Sequence, residues 1–157
     1  FRLAVDRIEV VVHPEAVIHS MVEFNDGSII AQLGITDMRL PIQYALTYPE
    51  RWESGLKKMD FFTLKQLTFQ KPDLDKFPAL GLAFHVARRG GTLPSVLNAA
   101  DEEAVEAFLN GRIAFSGIYR VVEKVVLRHN CVKEPTLKCI LDADREARHE
   151  TRKIIYN

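Results

Sequence analysis

Two histidines and a charged tripeptide are the residues best suited to chemistry in the first forty positions. His13 and His19 flank the run PEAVI, and Asp37-Met38-Arg39 follow a short apolar segment. Histidine titrates near neutral pH and binds metals, so a pair invites a metal reading. A proline-containing turn separates the two, however, and no third ligand stands at metal spacing, so a shared metal site is not expected. His19 reads instead as a cleft residue that orients a substrate, or as a strand-end histidine that is simply hydrogen-bonded. Asp37 to Arg39 fall where a helix begins, and the amides there favour anions that an arginine can grip. The structural alternative has Asp37 as a cap and Arg39 as a solvated charge, with Met38 either core or a flexible apolar wall.

Other candidates are weaker. Asp101-Glu102-Glu103 and Asp142, Asp144 and Glu146 sit on alanine-rich helical patterns, where such charges form a solvated face. Gly90-Gly91 follow a helix rather than leading into one from a strand, which excludes a phosphate loop here. No Gly-x-Ser-x-Gly elbow appears.

The elements that must hold these residues follow from periodicity. Ile8 to His13 is rich in β-branched residues and stops at Pro14, as a strand buried on both faces would. Asn25-Asp26-Gly27-Ser28 marks a hairpin turn between Val17–Phe24 and Ile29–Gly34. With Asp26-Gly27 as a two-residue turn, Phe24 pairs with Ile29, Val22 with Ala31 and Ser20 with Leu33. That register gives one apolar face and turns His19 toward solvent or a cleft. A helix is expected from about Arg39 to Thr47, with Pro41 in its first turn and Pro49 at its end. Residues 50–75 lose periodicity and read as a connector, with a brief strand at Leu67 to Phe69. Four helices follow: one with Phe77, Leu80, Phe84 and Ala87 inward, then Leu93 to Leu109, Ser116 to His129 and Thr136 to Ile155. Asn98, Asp101 and Asp142 to Asp144 are the points at which they could break.

Composition bounds the partners. The 157 residues carry 21 basic and 21 acidic side chains, with a pI near 7.1. Neither nucleic acid nor an anionic membrane is expected to attract such a chain. Its apolar runs are too short to span a bilayer, which predicts a soluble protein. Cys131 and Cys139 lack the partners of a zinc site or a disulfide framework and read as buried thiols in a reducing compartment. The chain opens at Phe1 without an initiator methionine and enters a strand-like run at once, so its first domain is expected to begin upstream.

Two long runs then carry a specific resemblance. IEVVVHPEAVIHSMVEFNDGSIIAQLGITDMRLPIQYALTYPER resembles the C-terminal part of the 1-deoxy-D-xylulose 5-phosphate reductoisomerase family, and FPALGLAFHVARRGGTLPSVLNAADEEAVEAFL is similar to that family's helical bundle. The likeness covers nearly the whole chain in order. Two departures stand out: Glu15-Ala16 where the family often has Gln-Ser, and Thr36 where it often has proline before Asp-Met-Arg.

The resemblance implies an NADPH-dependent oxidoreductase and isomerase of isoprenoid biosynthesis. Such an enzyme converts the phosphorylated keto-sugar 1-deoxy-D-xylulose 5-phosphate to 2-C-methyl-D-erythritol 4-phosphate, with a divalent metal, Mg or Mn, polarising oxygens. It implies a homodimer in the bacterial cytoplasm or a plastid-type organelle. Carried over by motif, His19 is a catalytic and substrate-binding residue and Met38 lies against both substrate and cofactor, while no metal ligand falls in this chain. The expected fold is α+β: short strands and a hairpin from a partial catalytic domain, then a C-terminal helical bundle. Residues 1–49 would end the central catalytic domain, 50–75 connect, and 76–157 form the bundle. Without the cofactor domain and metal ligands the chain alone should bind neither group and be inactive. The rival reading is a non-catalytic dimerisation or scaffold module of the same fold.

Overall fold

A computed structural model describes residues 3–157. The chain divides into two compact units, Val10–Pro72 and a helical unit of Asp73–Asn157 joined by the residues up to Glu9.

The smaller unit is built on a two-stranded antiparallel sheet, β1 (Ile18–Glu23) and β2 (Ile29–Leu33). Its turn differs from the expected one. Phe24 N donates to Ser28 O at 2.9 Å and Gly27 N to Phe24 O at 2.9 Å, which makes a three-residue loop of Asn25, Asp26 and Gly27. Gly27 takes φ +83°, and Asp26 Oδ1 accepts from Ser28 N at 2.9 Å. The extra loop residue slips the register by one, so Met21 faces Ala31, Val22 faces Ile30 and Glu23 faces Ile29. Because side chains alternate, that slip distributes the apolar residues over both faces instead of one. A second irregularity shifts the pairing by one more: Ile18 pairs with Leu33 and Ser20 with Gln32, leaving His19 as the extra residue of a bulge.

Ile8 to His13 does not form the expected buried strand. Only Val12 pairs, with Gln70, and Ile8, Val10 and Val11 remain exposed. Helix α1 (Arg39–Thr47) has the expected limits, and a short helix α2 (Phe61–Leu64) begins after Asp60, whose carboxylate accepts from Phe62 N. Most of the stretch read as a connector folds back onto this unit. Gln43 Nε2 donates to the carbonyls of Trp52 and Glu53, and Glu15 accepts from Thr68 N and Oγ1. That hydroxyl bond is the main reason the Glu15 carboxyl lies below its usual range.

The helical unit contains α3 (Pro78–Arg89), α4 (Leu93–Leu109), α5 (Phe115–Arg128) and α6 (Leu137–Tyr156). Neither α4 nor α6 breaks at the polar residues inside it, because their polar sides face outward or pair across helices. The core is made by Val96, Ala99, Ala100 and Ala104 of α4 against Val121, Val122, Val125 and Val126 of α5 and Ala143 and Ala147 of α6. Alanines let the helices approach closely, and the valines fill the remaining space at roughly 1.5–3 kcal/mol for each fully buried side chain. Helix α3 turns a different stripe inward than its sequence suggests: Leu82 and Val86 are buried, whereas Phe77 is exposed. Both stripes obey the helical period, and only the neighbouring helices select between them.

Of the carboxylates read as a solvated face, Asp101, Asp142 and Glu146 are exposed, whereas Glu102, Glu103 and Asp144 belong to an inter-helix network. Glu103 is buried, and Arg152 donates to it twice, at 2.7 and 2.6 Å. Arg148 bonds Glu102 at 2.6 Å and Asp144 at 2.9 Å. The Arg152 bonds, with a smaller contribution from the charge of Arg148, hold Glu103 below the ordinary carboxylate range. Cys131 and Cys139 are free and half-buried rather than fully buried.

Candidate functional site

The sequence candidates His19, Asp37 and Met38 meet in one cleft of the smaller unit, of about 620 Å³. His19 stands at the β1 bulge, exposed, with Nε2 donating to the Ile35 carbonyl oxygen at 3.3 Å. A bulge re-aims the side chain it carries, and here it brings the imidazole to the segment that leads into α1. One long, weak hydrogen bond leaves the ring available to a ligand.

Met38 precedes the first residue of α1 and is 70% exposed. It is therefore not core; with Leu40, Pro41 and Ile35 it forms an apolar wall of the cleft. The two charges beside it satisfy each other. Arg39 Nε donates to Asp37 Oδ1 at 3.0 Å and Arg39 Nη2 to Asp37 Oδ2 at 2.6 Å, a two-pronged pair, while Arg39 N also donates to Asp37 Oδ1 at 2.9 Å. The Arg39 guanidinium holds the Asp37 carboxyl down to about 2. Asp37 thus closes the turn onto the helix start, and Arg39 turns its Nε and Nη2 donors to the loop.

The two departures from the family pattern meet each other. Thr36 Oγ1 donates to the Ala16 carbonyl oxygen at 2.9 Å, and Ala16 holds φ +50°. A proline at position 36 offers no side-chain donor, so here a hydrogen bond fastens the loop that a ring would stiffen.

His13 lies apart from the cleft. Its Nδ1 donates to the Thr68 carbonyl oxygen at 2.8 Å, lies 3.0 Å from Glu15 Oε2, and its ring stacks on Phe69 at 5.1 Å. It fastens the turn at Pro14 to the segment at 68–70, and the two histidines share no ligand position. Among the described residues no group of three His, Cys, Asp or Glu side chains could hold a metal ion. The described residues therefore do not fit a metal centre by themselves.

Two lining residues escape a reading by sequence alone. Tyr44 lies on α1, and Arg51 follows Pro49 in the stretch taken for a connector; the guanidinium carbon sits 4.0 Å from the Tyr44 ring centre. The available signal was an aromatic residue one helical turn before the end of α1 and a cation just past it.

Known proteins resemble this chain in sequence and in fold. The family model described as the DXP reductoisomerase C-terminal domain matches residues 33–150. The 1-deoxy-D-xylulose 5-phosphate reductoisomerase of Acetivibrio thermocellus is 52% identical over 155 residues, covering 99% of this chain and 41% of that protein. That of Desulforamulus reducens is 52% identical over 157 residues, again covering 41% of its length. The Zymomonas mobilis enzyme solved with NADPH superposes with a TM-score of 0.89 at 41% identity, over 100% of this chain and 42% of that one. A DOX-P reductoisomerase solved with NADPH, fosmidomycin and magnesium gives 0.86 at 40% identity, over 96% and 39%. The chain thus spans about two fifths of the length of these relatives. With the helical unit and the Asp-Met-Arg cleft alike inside the match, the chain belongs to the 1-deoxy-D-xylulose 5-phosphate reductoisomerase family.

Proposed function

We propose that this chain is the C-terminal portion of an NADPH-dependent 1-deoxy-D-xylulose 5-phosphate reductoisomerase, and that it furnishes one wall of the active site without turning over substrate alone. The observation that carries the reading is the convergence of His19, Asp37 and Met38 on one cleft, in a chain half identical to such enzymes. In the parent, NADPH supplies the hydride and a divalent metal, Mg or Mn, polarises the sugar oxygens.

The residues here bind and orient. His19 Nε2, weakly held by a carbonyl, exchanges that bond for one to a sugar oxygen and steadies it while the carbon skeleton rearranges. Met38, with Leu40 and Pro41, packs against substrate and nicotinamide and keeps water from the reacting carbon. The Asp37–Arg39 pair keeps that wall in place. No step is assigned to a metal held by this chain, whose described residues lack the ligands for one. A homodimer accords with the reading: Val22 and Ile30, paired on one face of the sheet, leave exposed apolar side chains of the kind interfaces cover. A cytoplasmic or plastid-type location belongs to the same proposal.

The test is NADPH oxidation in the presence of keto-sugar phosphate and Mg²⁺, with the parent-length protein and the isolated chain side by side. Turnover is expected from the first only. Turnover by the isolated chain would refute its role as a partial site, and an inactive parent-length protein would favour the scaffold reading.

A further inference from the structure

We infer that Arg51 is a phosphate-recognising residue of the cleft, held ready by Tyr44. This rests on the function proposed above and adds to it the residue that reads ligand charge. Its guanidinium carbon lies over the Tyr44 ring at 4.0 Å, a cation–π contact that uses the face of the group and not its N–H donors. The backbone on both sides is tethered to α1: Glu50 N donates to the Thr47 carbonyl oxygen at 2.9 Å, Thr47 Oγ1 to the Glu50 carbonyl oxygen at 2.8 Å, and Gln43 Nε2 to the Trp52 carbonyl oxygen at 3.0 Å. Tyr44 thus holds the arginine while Gln43 and Thr47 of the same helix hold the backbone on either side of it.

The carboxylates that could neutralise Arg51 are engaged elsewhere. Glu50 accepts from Trp52 Nε1 at 2.7 Å, and Asp37, which also lines the cleft, is paired with Arg39. Among the described residues Arg51 has no ion-pair partner. A positive group on an otherwise mostly apolar wall, with His19 lining the same cleft, suits a ligand that is apolar or neutral at its reacting end and anionic at another. Arginine meets a phosphate through two parallel N–H bonds. Both ligands of the proposed reaction carry phosphate: the keto-sugar a monoester, the dinucleotide its own phosphates.

The experiment measures kcat and both KM values for the parent-length enzyme with Arg51→Gln, Arg51→Lys and Tyr44→Leu, and inhibition of the unaltered enzyme and R51Q by inorganic phosphate. R51Q is expected to raise one KM by roughly tenfold to a hundredfold with kcat within about twofold, the range for a lost charged hydrogen-bonding partner. A rise for keto-sugar phosphate assigns the monoester; a rise for NADPH assigns the dinucleotide. R51K should restore part of the loss, Tyr44→Leu should reproduce a smaller part, and inorganic phosphate should inhibit R51Q less than the unaltered enzyme. Both KM values within twofold in R51Q, or a loss confined to kcat, would overturn the inference while leaving the functional reading intact. Should R51Q not fold, R51K and Tyr44→Leu with unchanged KM values would overturn it equally. Absence of turnover by the unaltered enzyme would instead refute the functional reading.

Discussion

The helical unit and the hairpin unit hold themselves together by different means. Every buried hydrophobic side chain described lies between Leu82 and Ala147, on the four helices of one unit. The hairpin unit leaves Val22, Ile29 and Ile30 each more than half exposed, and it is tied instead by side-chain hydrogen bonds from Glu15, Thr36, Asp37 and Gln43. A two-stranded sheet without a covered face is marginal alone. The candidate site is on that unit, which teaches that a cleft can be shaped by loop bonds where packing is sparse, leaving His19 and Met38 free for a ligand.

The harshest test of the contrast is Gly91→Ala. Gly91 sits at φ +61°, and a Cβ there would collide with the Val132 carbonyl oxygen and the Cys131 sulfur, at the point where Thr92 N donates to that same oxygen. Denaturant unfolding should register a loss of about 3 kcal/mol or more from the helical unit. Ready tolerance would mean that the unit is less tightly packed than its buried core implies. His19→Ala should do the opposite. Turnover by the parent-length enzyme should fall roughly 10- to 100-fold, while stability changes by less than about 0.5 kcal/mol, since the ring is exposed and singly bonded. Substantial unfolding with normal activity per folded molecule would overturn that assignment.

Acid should separate the units more gently. Glu103 and Asp37 are both depressed on folding, so each contributes stability above its unfolded pKa and loses it as pH falls through the folded value. For Glu103 the loss starts below about pH 4.3, and for Asp37 it runs from about 3.9 down to about 2. Carboxyl carbon shifts followed by NMR should therefore place the Asp37 midpoint near 2, and Arg39→Ala should return it toward the ordinary value. A normal Asp37 midpoint in the unaltered protein would show the two-pronged pair to be absent in solution.

Much of the helical unit was legible because its signals are local. Pro78 and Gly90 bracket α3, Leu93 and Asn110 bracket α4, and the valines of α5 repeat at the helical period. The inward stripe of α3 was not, since Phe77-Leu80-Phe84 and Leu82-Val86 both satisfy that period. The hairpin's existence was readable from Asn-Asp-Gly-Ser, but its register was not. A two-residue and a three-residue loop share those residue types, and the choice depends on Gly27 taking φ +83° and on Asp26 bonding Ser28. The two-residue-turn register that would turn His19 toward a cleft is off by one, and it is the bulge that brings the ring there.

Sequence by itself determined the α+β class, the limits of α1 and α4, those of α5 and α6 to within a residue, and the family, because periodicity, proline and glycine act within a few residues and long motifs are specific. Tertiary structure alone decided that Glu103 is buried with Arg152, that Arg39 turns to Asp37, and that Arg51 rests on Tyr44. A charged side chain carries no local mark of its partner. The Coulomb and hydrogen-bond terms that choose one depend on distances that exist only after the chain has folded.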